Sequence, residues 1–168
     1  GSFYWGSGDD NPFDDEENGF DAIFENTQFA GADTSYWLRQ GVPLAGGGKV
    51  SLSTRNGLLN NLRASKEHGQ SNFTNPGIRL IGFGADFDVL PELRATVNLN
   101  QLWFDTTEVL EVARQQADVD ESIGTDFSVS LIYRPYMSQN VVARLSYAAL
   151  KPGKGFKQLF GDETQHSL

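Results

Sequence analysis

Residues 79 to 99 read RLIGFGADFDVLPELRATVNL. Ile81, Phe83, Ala85, Phe87 and Val89 alternate with Gly82, Gly84, Asp86 and Asp88. After Leu90-Pro91-Glu92 the alternation resumes, with Leu93, Ala95, Val97 and Leu99 opposed to Arg94, Thr96 and Asn98. Two period-2 runs joined by a Pro-containing turn predict an antiparallel hairpin that is apolar on one face only. The same pattern recurs downstream. Phe127, Val129, Leu131 and Tyr133 share a face in 126 to 134, as do Val141, Ala143, Leu145, Tyr147 and Ala149 in 141 to 149. Less regular strands are expected at Ser35 to Leu44 and Lys49 to Arg55, with a first short one at Phe3-Tyr4-Trp5 and an eighth beginning at Ser167-Leu168.

The connections fall into two lengths. Residues 45–48, 90–92 and 135–139 are tight turns, while about 7–33, 56–76, 105–123 and 151–166 are long polar loops. Short and long alternate, so one end of an up-and-down sheet carries turns and the other carries loops. That asymmetry, with strands of about 9 to 11 residues, predicts an all-β fold: an antiparallel up-and-down transmembrane β-barrel or the C-terminal part of a larger one, with residues 1–168 as a single domain. Tyr36, Trp37, Trp103, Trp5 and Tyr133 near strand ends suit interfacial girdles. A soluble β-sandwich binding domain, its polar faces simply solvated, is the competing architecture.

In the barrel reading the polar face lines a lumen. It would carry Arg39, Arg55, Asp86, Asp88, Arg94, Asn98, Asn100, Asp126, Arg134 and Arg144. Arginines on neighbouring strands would attract anions, whereas pairing with local acids would shape the pore instead.

Charge is concentrated elsewhere. Of 22 acids, nine fall within residues 1–38, which hold no Lys or Arg. The net charge of −9 lacks the basic face that nucleic acid demands. Within GDDNPFDDEENGFD, residues 8 to 21, the oxygens of Asp9, Asp10, Asn11, Asp14, Asp15 and Asp21 suit Ca2+, although the spacing is not that of an EF-hand. A solvated external loop is the plainer alternative. Its interleaved Phe13, Phe20, Ile23, Phe24 and Phe29 are expected to pack on the barrel mouth. Asp105 and Glu108 have capping-box spacing before a short loop helix.

There is no cysteine, which excludes disulfides and thiolate metal sites. His68 and His166 fall in loops without nucleophile motifs, so no catalytic constellation is expected.

The stretches Tyr4-Trp5-Gly6-Ser7-Gly8-Asp9-Asp10-Asn11-Pro12 and Gly19-Phe20-Asp21-Ala22-Ile23-Phe24 resemble the alginate-export family of bacterial outer-membrane barrels, in its C-terminal part. Residues 63–76 and 153–165 also look like this group. The resemblance implies a location in the bacterial outer membrane, lipid around the barrel, and a channel for small solutes or an anionic polysaccharide. The further alternative is a barrel that sheathes or docks an envelope partner without transport.

Overall fold

The computed structural model describes residues 1–16, 18–19, 30–31, 34–36, 42–43, 49–50, 76–137 and 140–168. Strand β1 spans Ser2–Gly6, β2 Val42–Pro43, β3 Lys49–Val50, β4 Ile78–Leu90 and β5 Leu93–Trp103. Helix α1, Glu108–Arg114, precedes β6, Ser122–Tyr133. A 3-10 turn, Pro135–Met137, leads toward β7, Ala143–Pro152, followed by helix α2, Lys154–Phe160, and β8, Gln165–Ser167.

Six strands form one antiparallel up-and-down sheet in the order β1-β4-β5-β6-β7-β8, and β2 and β3 pair only with each other. The sheet is not closed into a barrel: β1 and β8 are its two edges. This corrects the expected succession of seven or eight neighbouring strands, because β1 pairs directly with β4. The described part of the expected strand at 35–44 differs too. Ser35 donates its backbone N–H to the Gly31 carbonyl in a buried turn, and only Val42–Pro43 is strand. Residues 37–41, 44–48 and 51–75 lie outside the described residues.

The four central strands are long and in continuous register, interrupted by bulges at Asp88/Leu90 and Leu102/Trp103. Between the bulges, register places the even-numbered positions of β1, β4, β5, β6 and β7 on one face and the odd-numbered positions on the other. The odd face is the apolar one. Its rows across β4, β5, β6 and β7 read Phe87-Ala95-Leu131-Leu145, Ala85-Val97-Val129-Tyr147 and Phe83-Leu99-Phe127-Ala149. Phe83, Leu145 and Phe87 on it are 67%, 66% and 54% exposed.

The hydrophobic core sits on the even face, at the loop end only. Ile78, Leu80, Leu102 and Leu150 of the strands meet Val109 and Leu110 of α1, Phe156 and Leu159 of α2, and Phe104, Val119 and Ile123. Both helices are short, so packing rather than propensity holds them. Arg114 ties one to the other: its guanidinium donates to the Leu159 carbonyl at 2.6 Å and lies over the Phe160 ring. The expected capping box is absent. Thr107 is the N-cap and makes no side-chain cap bond, and Asp105 is engaged elsewhere. Helix α2 was not expected; the interval 153–160 carries only a Gly before and after an apolar triplet.

Asp105 closes the loop end. Its carboxylate accepts from Trp5 Nε1 at 2.8 Å and from the Gly8 amide at 3.1 Å. Arg79 Nε lies 3.7 Å from the same carboxylate, and Arg79 also pairs with Glu121. One side chain therefore joins the end of β1 to the exit of β5.

Candidate functional site

The even face changes character along its length. At the short-turn end lies a charged row, Asp88-Arg94-Ile132-Arg144, with Arg134 one step beyond. Arg94 Nε donates to Asp88 at 2.8 Å, a two-point pair with the second bond at 3.3 Å. Next comes Asp86-Thr96-Ser130-Ser146, where the Thr96 hydroxyl donates to Asp86 at 2.6 Å. Then follow Gly84-Asn98-Ser128-Ala148 and Gly82-Asn100-Asp126-Leu150, before the apolar core begins at Leu80-Leu102. So Asp86, Asp88, Arg94, Asn98, Asp126 and Arg144 fall on one face, as their parity requires, while Arg134 follows β6 and donates its backbone N–H to the Glu92 carbonyl. Arg39 and Arg55 lie outside the described residues.

The middle rows are buried although neither α1 nor α2 covers them. Asp126, Ser128, Ser130, Asn98 and Asn100 all have little or no exposure. Their cover includes Ala30 and the residues Thr34 to Tyr36, a strap that comes from the long connection between β1 and β4. The Asn100 amide donates to the Ala30 carbonyl at 2.8 Å. The Thr34 and Ser128 hydroxyls are 3.2 Å apart, the Ser35 hydroxyl donates to Asp126, and the Tyr36 amide donates to the other Asp126 oxygen at 3.3 Å. Four contacts to two adjacent rows fix this strap across the sheet. Burial first, and the Asp126 charge second, hold the Tyr36 phenol above its ordinary pKa.

Glycines on β4 make room for the amides. A methyl group at Gly84 would lie 2.5 Å from Asn98 Oδ1, and one at Gly82 would overlap Asn100 Oδ1. With no side chain there, Asn98 and Asn100 lie flat against β4 beneath the strap. Asn98 Nδ2 and Asn100 Oδ1 nevertheless have no hydrogen-bond partner among the described residues. Sequence reading placed Asn98 and Asn100 on the polar face but missed the strap, because contacts between positions 70 and 94 residues apart leave no local signal.

The acidic stretch is less convergent than its composition suggests. Asp9 is fully buried; its Oδ1 accepts from the Asn11 amide, and its Oδ2 has no partner. The Asn11 side-chain amide donates to Asp14 at 2.7 Å. Asp10, Asp14 and Asp15 are exposed, and Asp21 lies outside the described residues. Among the described residues, no three His, Cys, Asp or Glu side chains gather as a metal would need. Phe13, expected to pack on a mouth, is 83% exposed; Phe20, Ile23, Phe24 and Phe29 are not described. No helix among the described residues is long and apolar enough to cross a membrane, which says nothing of a β-barrel.

Compared with protein-family models, curated proteins and solved structures, the chain matches none.

Proposed function

We propose that this chain forms part of the wall of a bacterial outer-membrane β-barrel, a porin-like conduit rather than an enzyme. The observation that carries the reading is the inversion of the sheet. Its exposed face is apolar over successive rows, while its buried face holds Asp126, the hydroxyls of Ser128 and Ser130 and the amides of Asn98 and Asn100. A water-facing antiparallel sheet does the reverse, burying its apolar side.

The dimensions support it. The ten steps from Leu93, opposite Tyr133, to Trp103 cover about 34 Å at ~3.4 Å per residue. A strand tilt of about 40° brings that to roughly 26 Å along the barrel axis, close to the ~25 Å apolar band of such barrels. Aromatic residues stand at both limits: Tyr133 and Tyr136 by the short turns, Trp5 and Trp103 by the loops. Beyond Phe83 the odd-face row becomes Ile81-Gln101-Thr125-Lys151 and then meets Arg79, as a headgroup region would allow.

Six strands cannot enclose a pore, and unpaired backbone in lipid costs several kcal/mol per group. Strands β4 and β7 run past their edge partners, leaving Phe83–Leu90 and Ala143–Tyr147 without a paired neighbour on that side among the described residues. The reading therefore requires further strands against both edges. The test uses the intact protein. It should remain with the membrane fraction, need detergent for extraction, and carry ion current in a planar bilayer. A protein that stays in aqueous buffer as a monomer sinks the membrane reading; detergent dependence without current leaves a structural barrel and removes the conduit.

A further inference from the structure

We infer that helices α1 and α2 form a plug inside the barrel. It closes the lumen along this stretch of wall from the loop side, and leaves the wet part of the polar face as a vestibule open toward the short turns. The inference rests on the channel reading above.

Position comes first. In that reading the even-numbered side chains point into the lumen. Ile78, Leu80, Leu102 and Leu150 are four of them, and all are buried. They are packed against Val109 and Leu110 of α1 and Phe156 and Leu159 of α2, with Phe104, Val119 and Ile123 completing the cluster. The helices therefore stand on the lumen side of the sheet and not on its lipid side. A helix with its side chains is about 10–12 Å across, and a layer of that depth is taken from the bore here.

Wetness comes second. At the other end of the same face Asp86, Asp88, Arg94 and Arg144 are exposed. The rows between, with Asn98, Asn100, Asp126 and Ser128, are buried, and Ala30 and Thr34 to Tyr36 lie on them. From the short turns toward the loops the face is thus open and charged, then covered and polar, then dry and apolar. A dry apolar stretch blocks ions even where its width would admit them.

Construction comes third. Arg114 of α1 donates to the Leu159 carbonyl of α2 at 2.6 Å and lies 5.0 Å from the centre of the Phe160 ring. The connection after α1 is tied to both helices. The Val119 amide donates to the Glu111 carboxylate at 2.9 Å and the Asp120 amide to the Gln158 side chain at 2.8 Å, while the Gln158 amide group donates to the Asp118 carbonyl at 3.0 Å. Polar bonds join the parts of the plug, and apolar side chains seat it on the wall. Weakening either should widen the bore while the strands stay paired.

The experiment is single-channel conductance of the intact protein in planar bilayers, where current in the parent passes beside the plug. Mobility shift on heating in detergent gels reports whether each variant is folded. Arg114→Ala, which cuts the link between the helices, and Leu110→Ala, which hollows the seat, should each raise conductance severalfold. Val112→Ala, on the exposed side of α1, should conduct as the parent. Because the chain has no cysteine, Asp88→Cys adds a probe of the vestibule. A bulky charged thiol reagent should reduce its current from one chamber only, and from both once Arg114→Ala is added. Folded plug variants that conduct like the parent overturn the inference and leave the channel standing. So does an Asp88→Cys current reduced equally from both chambers, or from neither, with the plug intact. Current that appears only in the plug variants supports the closure, whereas no current in the parent or in any folded plug variant removes the channel itself.

Discussion

At the scale of single residues, Asp105 shows how much one side chain can hold. It accepts from Trp5 and Gly8 of the first strand's exit and lies beside Arg79 of β4, although it belongs to the end of β5. Asp105→Ala should destabilise the protein by about 1–3 kcal/mol, since the Gly8 amide loses a buried acceptor. A lower denaturation midpoint, followed by the fluorescence of nearby Trp5, measures it; an unchanged midpoint refutes it. Gly155 makes a second case. A methyl group there would overlap the Asp120 carbonyl, so Gly155→Ala should cost about 1–3 kcal/mol through forced repacking. Asp120 itself carries a pH signature. The Ser122 amide at 2.9 Å, and after it Lys154 at 3.2 Å, hold its carboxyl below the ordinary carboxylate value, against the opposing effect of burial. A depressed folded-state pKa contributes stability above the unfolded value of about 3.9 and loses it as pH falls through the folded value. The contribution is small, because Asp120 is part-exposed and solvent screens it. The difference in stability between the parent and Asp120→Asn should therefore vanish toward acid pH, by chemical denaturation at a series of pH values.

At the scale of elements, α1 and α2 are held by the sheet they cover. Leu110 on α1 is almost fully buried, whereas Val112 is 44% exposed. Leu110→Ala should cost about 2–5 kcal/mol and Val112→Ala well under about 1 kcal/mol, a contrast that separates a packed cap from a dangling loop. Equal effects in thermal or denaturant melts would remove the cap. The four long strands were legible from alternation alone, because a half-exposed strand writes its period directly into sequence. The helices were legible only in part. Val109, Leu110 and Val112 suggested α1, but Asp105 was read as its cap and is in fact spent on Trp5 and Gly8. Helix α2 offers too few turns for a period to emerge. Ala30, Thr34 and Ser35 of the strap were read as loop and strand start, since their placement comes from Asn100, Ser128 and Asp126, all more than 60 residues away.

At the scale of the whole molecule, the odd face decides what surrounds the protein. Leu145 is 66% exposed and lies one row from the centre of the apolar band. Leu145→Arg would change stability by less than about 0.5 kcal/mol on a water-facing surface, but should cost about 2 kcal/mol on a lipid-facing one. Unfolding titrations in lipid vesicles distinguish the two. Of the seven described candidate lumen residues, the register places six on one face, as their parity assigned; Arg134 follows the last pair of β6 and has no register position. Their depth was not readable. Asp126 and Asn98 are buried while Asp88 and Arg94 stand in the open, a difference made by the strap and not by the strands. Alternation of side chains is a local property of extended backbone, so the sequence alone determined the strands, their two faces and the ends that carry turns or loops. Which edge meets which strand, where the core lies, and what crosses the polar face depend on contacts between distant segments. Only the tertiary structure decided that β1 bypasses the β2-β3 pair to lie against β4, and that Ser35 and Tyr36 are latched over Asp126.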